Sequence, residues 1–418
     1  MDYDVATLDL DDPSPEATAR RAGWVGAVQR GFREGRPEDE TVRRWIELYR
    51  KDAVVCRGAW LPDGEFGAGP LPVATYASFD KTLNAGLELL PLRMVTDVTT
   101  SPAHRRRGLL RRLIEADLAD AVAAGVPVAA LTASEATIYG RWGFGPATFR
   151  RTMEVDTGPR FALRDFADPG RVELVEPADA WPHVRAVFDR FHAGQRGSVG
   201  WPAHYEVLHT GTYDFDEGGP DRKLRGAVHL GADGAVDGFV LWKHAENHEV
   251  RISEMVALEP AAQLALWAFL GGMDRIAKVT TKLAHPADPL QWALTDLNAV
   301  KHTEVEEFLW LRVLDVERAL AARPWTADGG LVLEVEDPQG HAEGRYAVEA
   351  ADGRATVTRT DTPADVTLTA ETLATLLLGA VQVRTLHRAG RVGGTEDAVA
   401  RFGAMADLAE PPYCLTGF

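Results

Sequence analysis

Residues 92–145 read LRMVTDVTTSPAHRRRGLLRRLIEADLADAVAAGVPVAALTASEATIYGRWGFG, and this stretch decides the fold. Its apolar start predicts a strand over 92–100, and the basic loop Arg105–Gly108 follows that strand. We expect a helix after the loop, a second apolar strand over 126–132 and a glycine-rich turn over 139–145. Because free backbone N–H groups and the positive end of a helix dipole meet at such a loop, this order predicts an anion-binding site.

The loop carries three consecutive arginines, Arg105, Arg106 and Arg107, which add positive charge beside the helix start. Guanidinium groups pair well with phosphate oxygens, so the loop favours a phosphate-rich ligand. An arginine-rich helix start can equally be a solvated surface. The complete series of strand, basic loop, helix, strand and Tyr-Gly-x-x-Gly-Phe turn favours the binding site over that alternative.

The spacing Arg105-x-x-Gly108-x-Leu110 resembles the pyrophosphate loop of the GCN5-related N-acetyltransferase (GNAT) family. Members of that family hold acetyl-coenzyme A there, on the pattern Arg/Gln-x-x-Gly-x-Gly/Ala. Leu110 departs from the pattern at its last position. The resemblance therefore implies acetyl-coenzyme A as co-substrate, with the helix placed slightly differently against the pyrophosphate.

The string HRRRGLLRRL, together with Ser134-Glu135 and IYGRWGFG over 138–145, more specifically resembles the Eis (enhanced intracellular survival) acetyltransferases along the whole chain. That resemblance implies an α/β (α+β) architecture: two GNAT-like mixed-sheet domains followed by a sterol-carrier-protein-like C-terminal domain. It also implies a homohexamer that acetylates primary amines of aminoglycosides, other polyamines or lysine side chains. The coenzyme-binding residues it implies are Val98, Thr99, Thr100, Arg106, Arg107, Gly108, Leu109, Leu110, Arg111, Ser134 and Glu135.

Tyr139 is the candidate general acid, a role that the resemblance implies. An unperturbed tyrosine has a pKa of about 10, so its hydroxyl is protonated at neutral pH and can donate to a departing thiolate. The alternative is a tyrosine that packs under the glycine-rich turn with its hydroxyl satisfied.

Phe418 is the candidate general base, because Eis proteins use the main-chain carboxylate of a C-terminal Phe in that role. An α-carboxylate has a reference pKa of about 3.5, so burial or a water relay would have to support its weak basicity. Pro411 and Pro412 stiffen the approach of the tail. Most chain ends are frayed and inert, so the last residue gains weight from the other matches.

The chain divides into three predicted domains: a catalytic one over 1–156, a degenerate second one over 157–316 and the sterol-carrier-like one over 317–418. We expect 149–155 to close the first sheet and 303–316 to form one long strand. The second unit repeats the order of the first. Its corresponding loop, Glu259-Pro260-Ala261-Ala262, lacks the Arg-x-x-Gly spacing, which predicts a structural role.

Composition limits the classes of partner. The 418 residues carry 45 basic and 62 acidic side chains, a net charge of −17, which argues against a nucleic-acid surface and could attract cationic amines or merely confer solubility. Cys56 and Cys414 are too few for a disulfide framework. No apolar run reaches the length of a membrane span, and the acidic start does not resemble a signal peptide, so we expect a cytoplasmic protein.

The remaining candidates are weaker. No metal site is predicted, because the histidines of the second unit lack a metal-ligand spacing. Several aromatic residues could line an acceptor pocket, but their pattern favours the core over that role. They are Trp24, Phe32, Trp45, Tyr76 and Phe79. Two rival functions stay open: a protein-lysine or peptide acetylase, and a catalytically silent binding protein.

Overall fold

The computed structural model describes residues 2–133 and 136–418, whose strands form three sheets. Two are seven-stranded, in the orders β1-β2-β3-β4-β5-β14-β6 and β13-β7-β12-β11-β10-β9-β8, and the third is five-stranded, in the order β17-β16-β15-β18-β19. Parallel and antiparallel pairs occur in each sheet, and helices cover them. The predicted α/β architecture of two mixed-sheet units and a third, smaller one is confirmed.

The first unit begins with an edge strand and two helices, and its central strands flank the long helix α3. Its elements are β1 (Asp4–Thr7), α1 (Pro15–Gly31), α2 (Asp39–Lys51), β2 (Val55–Trp60), β3 (Ala74–Asn84), β4 (Leu89–Thr100), α3 (Leu109–Ala123), β5 (Val128–Thr132), α4 (Ala136–Tyr139) and β6 (Gly145–Pro146).

The second unit repeats this plan around the helix α7, which lies between a parallel pair of strands. Its elements are β7 (Phe149–Asp156), β8 (Arg171–Val175), α5 (Pro177–Gly194), α6 (His204–His209), β9 (Arg225–Leu230), β10 (Val236–Ala245), β11 (Glu249–Ala257), α7 (Pro260–Gly271), β12 (Lys278–Ala284), α8 (Leu290–Ala293), β13 (Val300–Glu307) and β14 (Leu309–Val313).

The third unit packs its sheet against helices, and the chain then returns as an extended tail toward the first two units. Its elements are α9 (Val316–Ala321), β15 (Gly329–Glu336), β16 (Gly344–Ala351), β17 (Arg354–Arg359), β18 (Val366–Thr369), α10 (Ala370–Leu377), α11 (Val383–Arg388), β19 (Val392–Gly394) and α12 (Glu396–Ala406).

The two large units exchange strands, which corrects two predictions. Residues 149–155 do not close the first sheet, because β7 pairs with β12 and β13 in the second. The expected long strand over 303–316 is two strands: β13 lies in the second sheet and β14 enters the first between β5 and β6. Alternation of apolar and polar residues predicts a strand but does not specify which strand it pairs with. Met153 and Val155 of β7 are buried in the core of the second unit, which favours pairing in the second sheet.

Helix α3 is fixed to the first sheet by a buried carboxylate, Asp117, whose side chain is fully buried. It accepts hydrogen bonds from Arg57 at 2.6 Å, Arg93 at 2.9 Å, Tyr76 at 2.9 Å and Ser78 at 2.6 Å. A buried charge with this many partners is costly to disturb. Asp117 therefore holds the middle of α3 against β2, β3 and β4.

Within 2–133 and 136–418, no helix combines the length and the apolar composition that crossing a membrane requires.

Candidate active site

The first sheet opens between β4 and β5. The two strands pair in parallel over Leu92–Val95 and Val128–Leu131, but β4 continues to Thr100 with no β5 residue beside it. Its other edge remains paired with β3. The edge of β4 that faces the opening therefore offers backbone N–H and C=O groups to an extended ligand, and Val98, Thr99 and Thr100 lie there as predicted.

The opening coincides with a bulge in β4. The register against β3 shifts between Thr96 and Thr99, and Asp97 adopts a left-handed backbone with φ +52°. The hydroxyl of Thr75 donates to the main-chain oxygen of Asp97 at 2.7 Å. Bulges redirect a strand and its side chains, and here the redirection separates β4 from β5.

The basic loop ends at the N-terminus of α3. Arg106 and Gly108 both have positive φ, +62° and +75°, and a Cβ on Gly108 would meet no atom within 4 Å. Gly108 is the N-cap, with no side-chain cap, so the first N–H groups of the helix are available to a ligand. This combination of turned backbone, open space and free N–H groups suits a pyrophosphate.

The side chains of the loop divide between solvent and core. Arg106, Arg107 and Arg111 are exposed, and the described chain contains no ion pair that would occupy Arg106 or Arg107. Leu109 is buried and Leu110 is half-buried against the core, so these two leucines can offer their backbone N–H groups rather than their side chains. Ser134 and Glu135 lie outside the described residues.

Tyr139 is the last residue of α4, the helix that follows β5 in the chain. Its side chain is 9% exposed, and its ring meets the edge of Phe144 with centroids 6.2 Å apart. The third unit supports the turn that follows, because a Cβ on Gly145 would lie 2.2 Å from the main-chain oxygen of Glu371 on α10. Glycine is required where α10 approaches this closely.

The C-terminal tail reaches the same end of β5. The hydroxyl of Thr132 donates to a main-chain oxygen of Phe418 at 2.8 Å. Two earlier anchors fix the approach: the Thr416 hydroxyl donates to the Val199 oxygen at 2.6 Å, and the Gly417 N–H donates to the Tyr205 hydroxyl at 2.8 Å. Phe418 is thus held in the first unit although it is the last residue of the third.

Beside Phe418 lies a cavity of about 530 Å³. It is enclosed by the first two helices, β4, a loop of the second unit and the tail, and four of its lining residues are acidic. The lining residues are Gln29, Glu34, Trp45, Leu48, Tyr49, Asp52, Val54, Phe79, Thr96, Asp97, Pro202, His204, Phe215, Asp216, Gly417 and Phe418. Carboxylates and aromatic faces together suit a cationic ligand.

Burial perturbs the titration of the cavity groups. It raises the pKa of Asp97 to about 6, although a hydrogen bond from the Tyr49 hydroxyl opposes the shift. Burial, with the charge of Asp216, also raises the pKa of Glu34. Burial lowers the pKa of His204 to about 4, so that imidazole is neutral at pH 7. The cavity therefore carries carboxylates but no histidine cation.

Sequence reasoning located part of this cavity. Of the five aromatic candidates, Trp45 and Phe79 line it, and the Phe79 ring meets the Phe418 ring edge-on at 6.3 Å. Trp24 and Tyr76 are core residues, and Phe32 lies on the surface. Asp97 and Thr132 were not predicted. An acid inside the apolar run LRMVTDVTT was the available signal for Asp97, whereas Thr132 ends an ordinary strand and carried none.

The described residues contain no group of three or more His, Cys, Asp or Glu side chains that could hold a metal ion.

Family models match along the chain. Residues 18–147 and 195–313 each match an acetyltransferase (GNAT) domain, and residues 316–415 match a sterol carrier protein domain. An uncharacterized N-acetyltransferase of Streptomyces griseus is 36% identical, over 98% of this chain and 99% of its own length. The N-acetyltransferase Eis of Mycobacterium tuberculosis is 34% identical, over 87% and 88%.

Solved structures agree with these relatives. The crystal structure of Eis1 from Mycobacterium abscessus matches with a TM-score of 0.83 at 26% identity, and the match covers all of both chains. A GCN5-related N-acetyltransferase from Anabaena variabilis matches with a TM-score of 0.81 at 18% identity, which supports the fold alone.

Proposed function

The chain belongs to the Eis family of N-acetyltransferases, and on that basis we propose that it transfers acetyl from acetyl-coenzyme A to a primary amine of an aminoglycoside or polyamine-type acceptor. The acetyltransferase class follows from the family. The acceptor class is our proposal, and it is supported by the cavity that lies beside Phe418. Four carboxylates and several aromatic faces line that cavity, which favours a cationic acceptor.

The coenzyme would bind along the opening of the first sheet. Its pyrophosphate would lie at Arg106, Arg107, Gly108 and the start of α3, where the N–H groups of Leu109, Leu110 and Arg111 begin the helix. Its pantetheine arm would pair with the free edge of β4 at 98–100. This path directs the thioester toward the end of β5, where Thr132 holds Phe418.

The reaction is a direct transfer to the amine by addition and elimination at the thioester carbon. The neutral amine nitrogen attacks the thioester carbon, a C–N bond forms, and collapse of the tetrahedral intermediate breaks the C–S bond. The carboxylate of Phe418 accepts the proton that the amine loses, and the Tyr139 hydroxyl donates one to the departing thiolate. Solvent then returns both groups to their starting protonation states.

One observation carries the proposal: the hydrogen bond between Thr132 and Phe418, which joins residues 286 positions apart. Without such an anchor a chain end is usually frayed. Here the terminal carboxylate is fixed at the end of β5, beside the opening and at the wall of the acidic cavity. A role in catalysis explains why the tail is held there.

A tail-extension experiment tests the assignment. Two residues appended after Phe418 move the free carboxylate away, so we expect turnover to fall by about 10²-fold or more, the usual contribution of a general base. The same two residues placed before Met1 serve as the matched control and should leave turnover unchanged. Full activity of the C-terminally extended enzyme would remove Phe418 from the mechanism.

Tyr139→Phe tests the general acid. We expect a comparable fall in turnover with unchanged coenzyme affinity, because the ring still packs against Phe144 while the hydroxyl is lost.

Thiol release with a panel of polyamines, aminoglycosides and lysine peptides separates the acceptor classes. A peptide that outcompetes every polyamine would favour a protein acetylase, and no release with any amine would favour a silent binding protein.

Two further expectations remain proposals. We propose the domain limits 1–156, 157–316 and 317–418 as stretches of chain. Two strands cross these limits in space: β7 belongs to the first stretch but joins the second sheet, and β14 belongs to the second stretch but joins the first sheet. We also propose a homohexamer, which light scattering of the purified protein tests directly.

A further inference from the structure

Asp97 is a buried carboxylate without a cation. Its side chain is 8% exposed, and within the described chain no Lys, Arg or His forms an ion pair with it. Its one described side-chain hydrogen bond comes from the neutral Tyr49 hydroxyl. Burying a carboxylate without a counter-charge is costly, and the left-handed backbone at φ +52° adds strain at the same residue. Costs of this kind concentrate at sites that bind ligands.

The neighbouring Gln29 is a second unsatisfied group. It is 6% exposed, lines the same cavity, and its Oε1 atom has no hydrogen-bond partner among the described residues. A buried amide oxygen without a donor is rare in folded proteins. The Gln29 oxygen thus lacks a donor, and the Asp97 carboxylate lacks a cationic one. An ammonium group would supply both N–H donors and positive charge.

Another carboxylate of the cavity, that of Asp52, already has a cationic partner in the chain. Asp52 pairs with Lys81 at 2.5 Å and also accepts the N–H of Ala203 at 2.6 Å. Glu34, in contrast, has no ion pair in the part of the chain that is described, and burial raises its pKa. Asp216 likewise has no ion pair among the described residues. The uncompensated negative charge of the cavity therefore lies at the buried Asp97 and at the exposed Glu34 and Asp216, beside the aromatic faces of Trp45 and Tyr49.

We propose that Asp97, with Gln29 and Glu34, forms a subsite for a second ammonium group of the acceptor, distinct from the amine that reacts at Phe418. This inference rests on the proposed function and deepens it, because it assigns the residues that would recognise the second amine of the acceptor. The two positions are attached to different strands, since Asp97 projects from the bulge of β4 whereas Phe418 is held at the end of β5 by Thr132. Aromatic faces between α2 and β3 provide further favourable contact for a cation.

The test compares α,ω-diamines of increasing length with monoamines of the same length, using the full-length protein. For wild type we expect kcat/KM for the best diamine to exceed that of its matched monoamine by about tenfold or more, as a lost charge-assisted contact would imply. Asp97→Asn keeps the shape and can still accept from Tyr49. It should remove the preference by lowering kcat/KM for the diamine about tenfold, toward the value of the matched monoamine.

The control is Asp63→Asn, which removes the same charge from an exposed turn away from the cavity. It should leave the diamine preference intact, because Asp63 does not line the cavity. Both variants change the net charge by the same amount, so a difference between them reports the local position of Asp97. Gln29→Leu gives an independent reading that leaves Asp97 in place, and we expect it to reduce the preference in part.

The outcomes separate the two proposals. Acetylation of both amine classes without a diamine preference, or a preference that survives Asp97→Asn and Gln29→Leu, would overturn the subsite and leave the acetyltransferase proposal standing. No acetylation of any amine by wild type would overturn both. Loss of the preference in Asp97→Asn, with the preference retained in Asp63→Asn, would establish the subsite.

Discussion

The two large units use the same local plan and differ in one loop. In the first, β4 and β5 pair over four residues each and then diverge; in the second, β11 and β12 pair over Glu249–Arg251 and Lys278–Thr280 and then diverge. A helix connects the strands in both cases. The second opening also contains a cavity, of about 480 Å³. The shared plan is thus a strand pair that opens, not a coenzyme site as such.

The loops before α3 and α7 account for the difference. The first has arginines and a left-handed Gly108 at the helix start, whereas the second has Glu259 as N-cap, with φ −131°, and Pro260 in the first turn. An acidic cap repels phosphate, and proline removes one of the N–H groups that would bind it. Asp288 adds a further acid to the wall of the second opening. A few residues decide which of two similar openings can hold a pyrophosphate.

The largest expected effect comes from removing the charged side chains of each loop in turn. Replacing Arg106 and Arg107 by alanine should raise the coenzyme dissociation constant by about 10²- to 10⁴-fold, since each charge-assisted contact contributes about 1.5–3 kcal/mol. Glu259→Ala is the matched variant in the second loop and should leave the constant unchanged. Calorimetry measures both, and equal effects of the two loops would break the comparison.

The next largest effect is a loss of stability when ion pairs of the exchanged strands are broken. Arg312 on β14 and Asp337 of the third unit form a fully buried pair at 2.5 Å, whereas β7 and β13 are joined by the half-exposed pair Arg150–Glu306 at 3.0 Å. Asp337→Asn should cost about 3–5 kcal/mol of unfolding free energy, and Glu306→Gln less than about 1 kcal/mol. Urea unfolding tests the contrast, and similar losses in the two variants would contradict it.

The pH dependence of that contrast has a definite sign. Burial by itself would raise the pKa of Asp337, but the charge of Arg312 and the hydrogen bonds to the carboxylate lower it overall. The pair therefore stabilises the fold above the unfolded pKa of about 3.9, and its contribution is lost as the pH falls below that value.

Replacing Asp97 should have the smallest effect, and its contribution to the free energy of unfolding should depend on pH with the opposite sign to that of Asp337. Its carboxyl ionises near pH 3.9 when unfolded and near 6 when folded, so folding becomes less favourable as the pH rises between these values. Asp97→Asn should therefore stabilise the protein by about 1–3 kcal/mol at pH 8 and by much less at pH 4. Urea unfolding at the two pH values measures this, and a variant that is less stable than wild type at pH 8 would be the contrary result.

The sequence predicted the architecture because local order encodes it. The series from β4 through α3 to β5, the glycine at the helix start and the repeated second unit are all properties of contiguous residues. Strand exchange is not, since β7 and β14 look like ordinary strands whichever sheet they join. Phe418 was predicted from the family resemblance, whereas Thr132, which holds it, and Asp97, at a bulge defined by pairing with β3, depend on contacts between distant segments.

The most direct test of the account is the number of coenzyme molecules that bind to each chain. Titration calorimetry of the full-length protein with acetyl-coenzyme A should give one molecule per chain, and Arg106→Ala with Arg107→Ala should abolish or greatly weaken that one event. Two molecules per chain, or one that is insensitive to those arginines, would contradict the claim that a single basic loop distinguishes the two openings.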